Sequence, residues 1–261
     1  MPDVTKNCTR RATLWLAFIA LCCGRPAAAQ TDEIQVYDAV IADEGQVDVE
    51  LHNNFTPEGR KTAATPGGIV PNHALNGVPE FAYGVTDWFE AGLYLPVYTL
   101  TAGGRALLDS TKLRALFVSP WAGQRTFFYG INFELSYNAG HWEPTRLSGE
   151  IRLIAGLHLG DWDLIVNPIL DTDFHGTGKL DFAPSARIAY NFSPVWALSL
   201  EQYADFGQLD ALHAAGQRAQ TLFAVVDYKQ EDTGNIEFGI GHGFTAASDD
   251  VVLKLILGVD F

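Results

Sequence analysis

The chain has 261 residues, 48% of them hydrophobic, with 31 acidic against 17 basic side chains and a formal net charge of −14. A polymer this acidic repels phosphates, which excludes a nucleic-acid-binding role. Its three cysteines, Cys8, Cys22 and Cys23, all precede residue 24, so no disulfide framework, thiol catalysis or cysteine metal site is expected beyond that point.

Residues 1–29 read as a cleaved secretory signal. Lys6, Arg10 and Arg11 precede the apolar run 12–23, and Ala27-Ala28-Ala29 supplies a small-x-small cleavage pattern before Gln30. That run is shorter than the ~20 residues of a transmembrane helix, and Leu21 before Cys22 fits a lipoprotein signal poorly. Cleavage removes four basic residues (those three and Arg25) and one acidic residue (Asp3), leaving 13 basic against 30 acidic, a net −17. Residues 30–44 alternate weakly through Ile34-Gln35-Val36-Tyr37. They read as either a periplasmic lead-in or a segment plugging a lumen.

From residue 45 to 261 the pattern is strict alternation in long runs, broken by Gly, Asp, Asn and Pro. It predicts twelve strands, at about 45–56, 77–86, 88–100, 111–121, 125–138, 147–159, 161–174, 180–192, 196–207, 219–229, 235–246 and 251–261. Their length suits tilted membrane strands of about 9–11 residues, whereas soluble sandwiches favour about 5–6. Tight turns at 86–87, 121–124, 160–161 and 192–195 alternate with longer links at 57–76, 101–110, 139–146, 175–179 and 208–218. The turn at 229–235 is long for its side. This is the layout of an all-β, closed antiparallel transmembrane barrel in the bacterial outer membrane, with outer-membrane lipid as its surroundings.

Trp88, Trp121, Trp162 and Trp196 each adjoin a different tight turn, as a periplasmic aromatic girdle requires. Trp88 is out of phase with its strand's lipid face. Tyr98, Tyr137, Trp142, Phe174, Phe206 and Phe244 lie near the opposite ends and are candidates for an outer girdle. Phe261 ends the last alternating strand and resembles the C-terminal signal read by the barrel-insertion machinery.

The opposite faces are charged. Arg114, Arg152 and Arg187 fall on strands four, six and eight, with Glu134, Glu150, Asp171 and Glu201 at similar depth. Together they read as a lumen charge belt that fills the barrel with ion pairs or selects solutes. No catalytic constellation and no cofactor motif stands out, and the seven histidines lack metal-ligand spacing. Asp48-x-Glu50-x-His52 could hold a metal or act as acid and base, but alternation on a polar face produces such triples unaided.

Three stretches carry a family resemblance: His52-Asn53-Asn54-Phe55-Thr56-Pro57, residues 77–90 with Tyr83-Gly84-Val85-Thr86-Asp87-Trp88, and Tyr190-Asn191-Phe192-Ser193-Pro194. They resemble the outer-membrane transporter barrels named MetA-pathway of phenol degradation. The resemblance implies a barrel that passes small-molecule solutes, aromatic or apolar ones included, and brings no catalytic residues with it. The leading expectation is therefore a pore or transporter; the alternatives are a lipid-modifying enzyme and a structural or recognition barrel with a filled lumen. Pro168 and Pro184 interrupt strands seven and eight, where a bulge, or a seam open to the bilayer, is expected.

Overall fold

Alternate side chains of a β-strand point to opposite faces, so a run polar on one face and apolar on the other must separate two environments. Here it does so around a closed barrel. The computed structural model describes residues 32–230 and 234–261; the expected signal peptide, residues 1–29, lies outside them. The strands are β1 (Val47–Glu58), β2 (Leu75–Thr86), β3 (Phe89–Leu100), β4 (Ala106–Val118), β5 (Phe127–Asn138), β6 (Leu147–Leu159), β7 (Trp162–Asn167, continued by Ile169–Thr172), β8 (Asp181–Phe182, continued by Ser185–Asn191), β9 (Trp196–Asp205), β10 (Ala219–Gln230), β11 (Gly234–Gly243) and β12 (Val251–Asp260). Each pairs antiparallel with its sequence neighbours, and β12 returns to β1 in a register from Asp48↔Asp260 to Phe55↔Leu253. The twelve-stranded sheet therefore has no free edge.

The outer surface is the apolar one. Leu153 is 46% exposed and Phe133 41%, as are Leu164, Phe238 and Leu257 to a similar degree, while their strand neighbours Arg152, Glu134 and Lys254 are buried. Ile131, Leu253 and Leu255 share the outward phase. An apolar outer face around a polar interior is the pattern of a membrane-spanning barrel. Within the barrel, large rings fill the space that glycines leave. Phe128 lies over Gly156 and Phe223 over Gly241, where any Cβ would collide with the ring.

Among the differences from expectation, some have clear local reasons. β4 begins at Ala106 rather than 111 and ends at Val118 rather than 121. Its pairing with β3 shifts register between Tyr94↔Lys112, Val97↔Ser110 and Tyr98↔Leu108, and this bulge inverts the alternation that a reading by phase depends on. β10 and β11 pair as far as Gln230↔Gly234, inside the 229–235 stretch expected as a turn. Trp142 belongs to no outer girdle. It is buried against Ile69, Val78, Tyr94 and Val97, so the link between β5 and β6 and the long 59–74 loop both fold into the barrel mouth.

The expected bulge at the prolines is absent. Asn167↔Ser185 and Leu170↔Phe182 lie in one unshifted register, which sets Pro168 directly opposite Pro184. The amide of Ala183 donates to the carbonyl of Ile169 beside them at 3.1 Å. Leu153 donates to the carbonyl of Pro168 and Ala204 to that of Pro184. The two missing N–H donors thus point toward β6 and β9, away from the seam between β7 and β8.

Candidate functional site

The inner wall is polar because one phase of every strand is. All seven belt residues face inward, and six of them divide between two networks rather than forming one ring. In the first, Arg114 on β4 reaches back to β2 and β3: its Nη2 lies 2.7 Å from Glu80 Oε1 and also binds Glu90. Glu134, its register partner, instead lies 3.5 Å from Lys112 Nζ. Arg152 forks onto Glu150 through Nε at 2.8 Å and Nη2 at 3.1 Å. In the second network Arg187 binds Glu201 at 2.8 Å, Asp227 at 2.5 Å and Glu237 at 3.2 Å. Lys254, fully buried, donates to Glu201 at 2.5 Å and pairs with Glu237, and the Tyr203 hydroxyl donates to Glu201 at 2.7 Å.

Asp171 joins neither network. Register places Glu134 opposite Glu150, Glu150 opposite Asp171, and Asp171 opposite Asp181. Like charges so placed repel, and among the described residues no ion pair reaches Asp171 or Asp181. Beyond the strand ends, burial and then the charges of Asp181 and Asp173 hold the Glu143 carboxyl above its ordinary range. The wall from β5 to β8 is therefore acidic up to the mouth. There a cavity of about 330 Å³ opens between residues 67–70, Thr101, Arg105 and His141.

Residues 32–42 run through this lumen without strand structure, and side chains of the wall satisfy them. Asp32 accepts from Lys112 at 2.9 Å and, through its carbonyl, from Asn54 at 2.8 Å. Lys254 donates to the Ile34 carbonyl at 3.2 Å, and Arg152 to that of Gln35 at 3.3 Å. Tyr37 is the centre. Asn167 takes both its backbone N–H and its C=O, Arg114 donates to its hydroxyl, and the Arg152 guanidinium lies 4.1 Å over its ring. The Ala42 amide donates to Glu90 at 2.7 Å, and Glu44 bridges to Gly84 at the rim. Lys112 and Lys254 share the alternation that marks the arginines and belong to the same inner wall. Tyr37, Asn167 and Tyr94 carry no charge pattern and gave no signal.

On β1 and β2, Glu50 directly faces Glu80. His52, two residues along, places Nε2 3.4 Å from Glu50 Oε2 and 3.1 Å from Glu80 Oε2. The Asp48 carboxylate of the sequence triple is not part of this group.

At the short-turn end the four tryptophans face outward. Trp88 stacks on Phe117 at 6.1 Å, while Trp162 meets Tyr190 at 4.9 Å and Trp196 meets Tyr228 at 4.8 Å with tilted rings. Trp121 is exposed at a left-handed turn, φ 55°, which turns its ring out of the strand phase. Phe261 lies outward at the same rim, its backbone paired both ways with Val47.

No family model matches the chain, and no curated protein does. Among solved structures, the COG4313 outer membrane channel from Pseudomonas putida F1 superposes with a TM-score of 0.59 at 14% identity, covering 88% of this chain and all (100%) of that one. The NanC porin superposes with a TM-score of 0.52 at 9% identity, covering 82% and 98% respectively. At such identities the likeness is one of fold. That fold is the bacterial outer-membrane β-barrel, and the outer membrane is where a closed barrel with this apolar exterior resides.

Proposed function

We propose that the barrel is a pore or transporter for small solutes, and that residues 32–44 are its plug. The observation that carries this reading is how the segment is held. Apart from the Glu44–Gly84 bridge at the rim, its bonds run to side chains of the wall, and the β1–β12 ladder that closes the barrel uses none of them. Displacing it costs those bonds, the ion pairs of Glu33 and Asp38 and the packing of Ile34, Val36, Tyr37 and Ala39, but leaves the β-sheet whole. Arg114, Glu134, Glu150, Arg152, Asp171, Arg187 and Glu201 then line the path as the belt that sets charge preference, the acidic excess favouring cationic or neutral solutes. Aromatic and apolar solutes enter the proposal through the motifs shared with the phenol-degradation barrels, which rest on those residues alone. Trp88, Trp121, Trp162 and Trp196 serve as the periplasmic girdle, and Phe261 as the signal read by the insertion machinery.

The test is conductance in planar bilayers. A variant lacking residues 32–42 should show discrete steps several-fold larger than those of the full chain. Equal conductance, or silence from both, sinks the plugged pore and favours the second reading, a structural barrel with a filled lumen. That alternative is supported by the fully buried Lys254–Glu201 pair, which packs the interior as a core would.

A further inference from the structure

We propose that Glu50, His52 and Glu80 form a binding site for one divalent transition-metal ion, zinc by the chemistry of the donors. An imidazole with two carboxylates suits zinc, which takes such nitrogen and oxygen ligands at about 2.0–2.2 Å and arranges them tetrahedrally. Tetrahedral donors at that radius stand about 3.3 Å apart. The Nε2 atom of His52 already lies 3.4 Å and 3.1 Å from the two carboxylate oxygens, and the three ligand atoms fall within 4.8 Å of one another. One modest closure brings them onto a common ion.

Three further observations point to a cation here. Glu50 and Glu80 are directly opposed across the ladder, an arrangement that repels unless positive charge sits between them. Arg114 does not supply it, since its guanidinium holds the other oxygen of Glu80, Oε1, and is shared with Glu90. That contact leaves Oε2 turned toward His52 and fixes the carboxylate as an outer partner fixes a metal ligand. Finally, His52 is 1% exposed and its Nδ1 has no hydrogen-bond partner. Coordination through Nε2 puts the ring's proton on Nδ1 and leaves the imidazole neutral, so that the unpartnered N–H belongs to an uncharged ring and not to a buried imidazolium. With three protein ligands, a fourth position remains for water or for a donor atom of a solute in the lumen.

The experiment uses the full-length barrel purified in detergent, stripped with a chelator and equilibrated with micromolar zinc. Bound metal is measured by mass spectrometry after gel filtration. The expected result is one zinc per chain, retained in His141→Gln and His158→Gln and lost in His52→Gln. Heat-modifiable migration on a gel reports that each variant is folded. Should His52→Gln fail to fold, cobalt bound to the unmodified protein decides: visible bands of a tetrahedral nitrogen–oxygen site support the proposal. No stoichiometric uptake, uptake unchanged in a folded His52→Gln, or cobalt without those bands overturns it and leaves the three side chains as an ion-paired cluster.

Discussion

Lys254 shows what a single residue does in this wall. It is the most enclosed cation of the barrel, Gly239 opposite leaves room for its stem, and a Cβ there would come within 2.9 Å of the lysine chain. Its ammonium joins Glu201 and Glu237 to the Ile34 carbonyl. Lys254→Met removes the charge but nearly keeps the volume, leaving Arg187 as the cation shared by both carboxylates. We expect a loss of about 3–5 kcal/mol in urea unfolding from vesicles. A loss under about 1 kcal/mol would mean that water reaches the site and that the network is not buried in effect. At this scale alternation places Arg114, Arg152, Arg187 and Lys254 on the inner face, because phase decides which face a side chain takes, but it misses Asp109, buried on β4 beyond the bulge that inverts the phase. It could not say which charges meet. Arg114 was matched by depth to its neighbour Glu134 yet binds Glu80 and Glu90, since side-chain reach along a tilted strand is not encoded in phase. His52 likewise needed a ligand from β2, a residue 28 positions away.

Among the elements, the β7–β8 pair is the instructive one. Two prolines inside strands suggested a bulge or an opening into the bilayer, yet they face one another in an unbroken register. Because 168 and 184 form a non-hydrogen-bonded pair, neither would have donated across the seam. Cysteines at the register partners Val166 and Ala186, which belong to the same closely spaced class of pair, should oxidise readily and leave uptake of an apolar solute unchanged. Slower uptake in the oxidised form, restored by reduction, would reinstate a lateral route. Strand existence and order were legible throughout, since runs of ten or more alternating residues have one reading. What was not legible came from breaks in the period: the bulge that lengthens β4, and residues 32–42, whose order derives from the wall and not from any pattern of their own.

For the molecule as a whole, both ends of the sheet, Val47 and Asp260, lie at the rim of short turns, and the long links 59–74 and 206–218 lie at the other. Protease added outside intact cells should cut within 206–218 first, because 59–74 is anchored by buried Ile69 and by Arg60, whose guanidinium binds Asp249 at 3.0 Å. Cleavage confined to the tryptophan-bearing turns would invert the proposed orientation. A last consequence concerns heredity. Lys112, Arg114, Arg152 and Lys254 each bind a carboxylate of the wall and also an atom of residues 32–37. A substitution at any of them alters at once what the passage admits and how firmly it stays shut. Descendants of this barrel are therefore not free to drift in the one trait while conserving the other, and change at these four positions should arrive together with compensating change between residues 32 and 37.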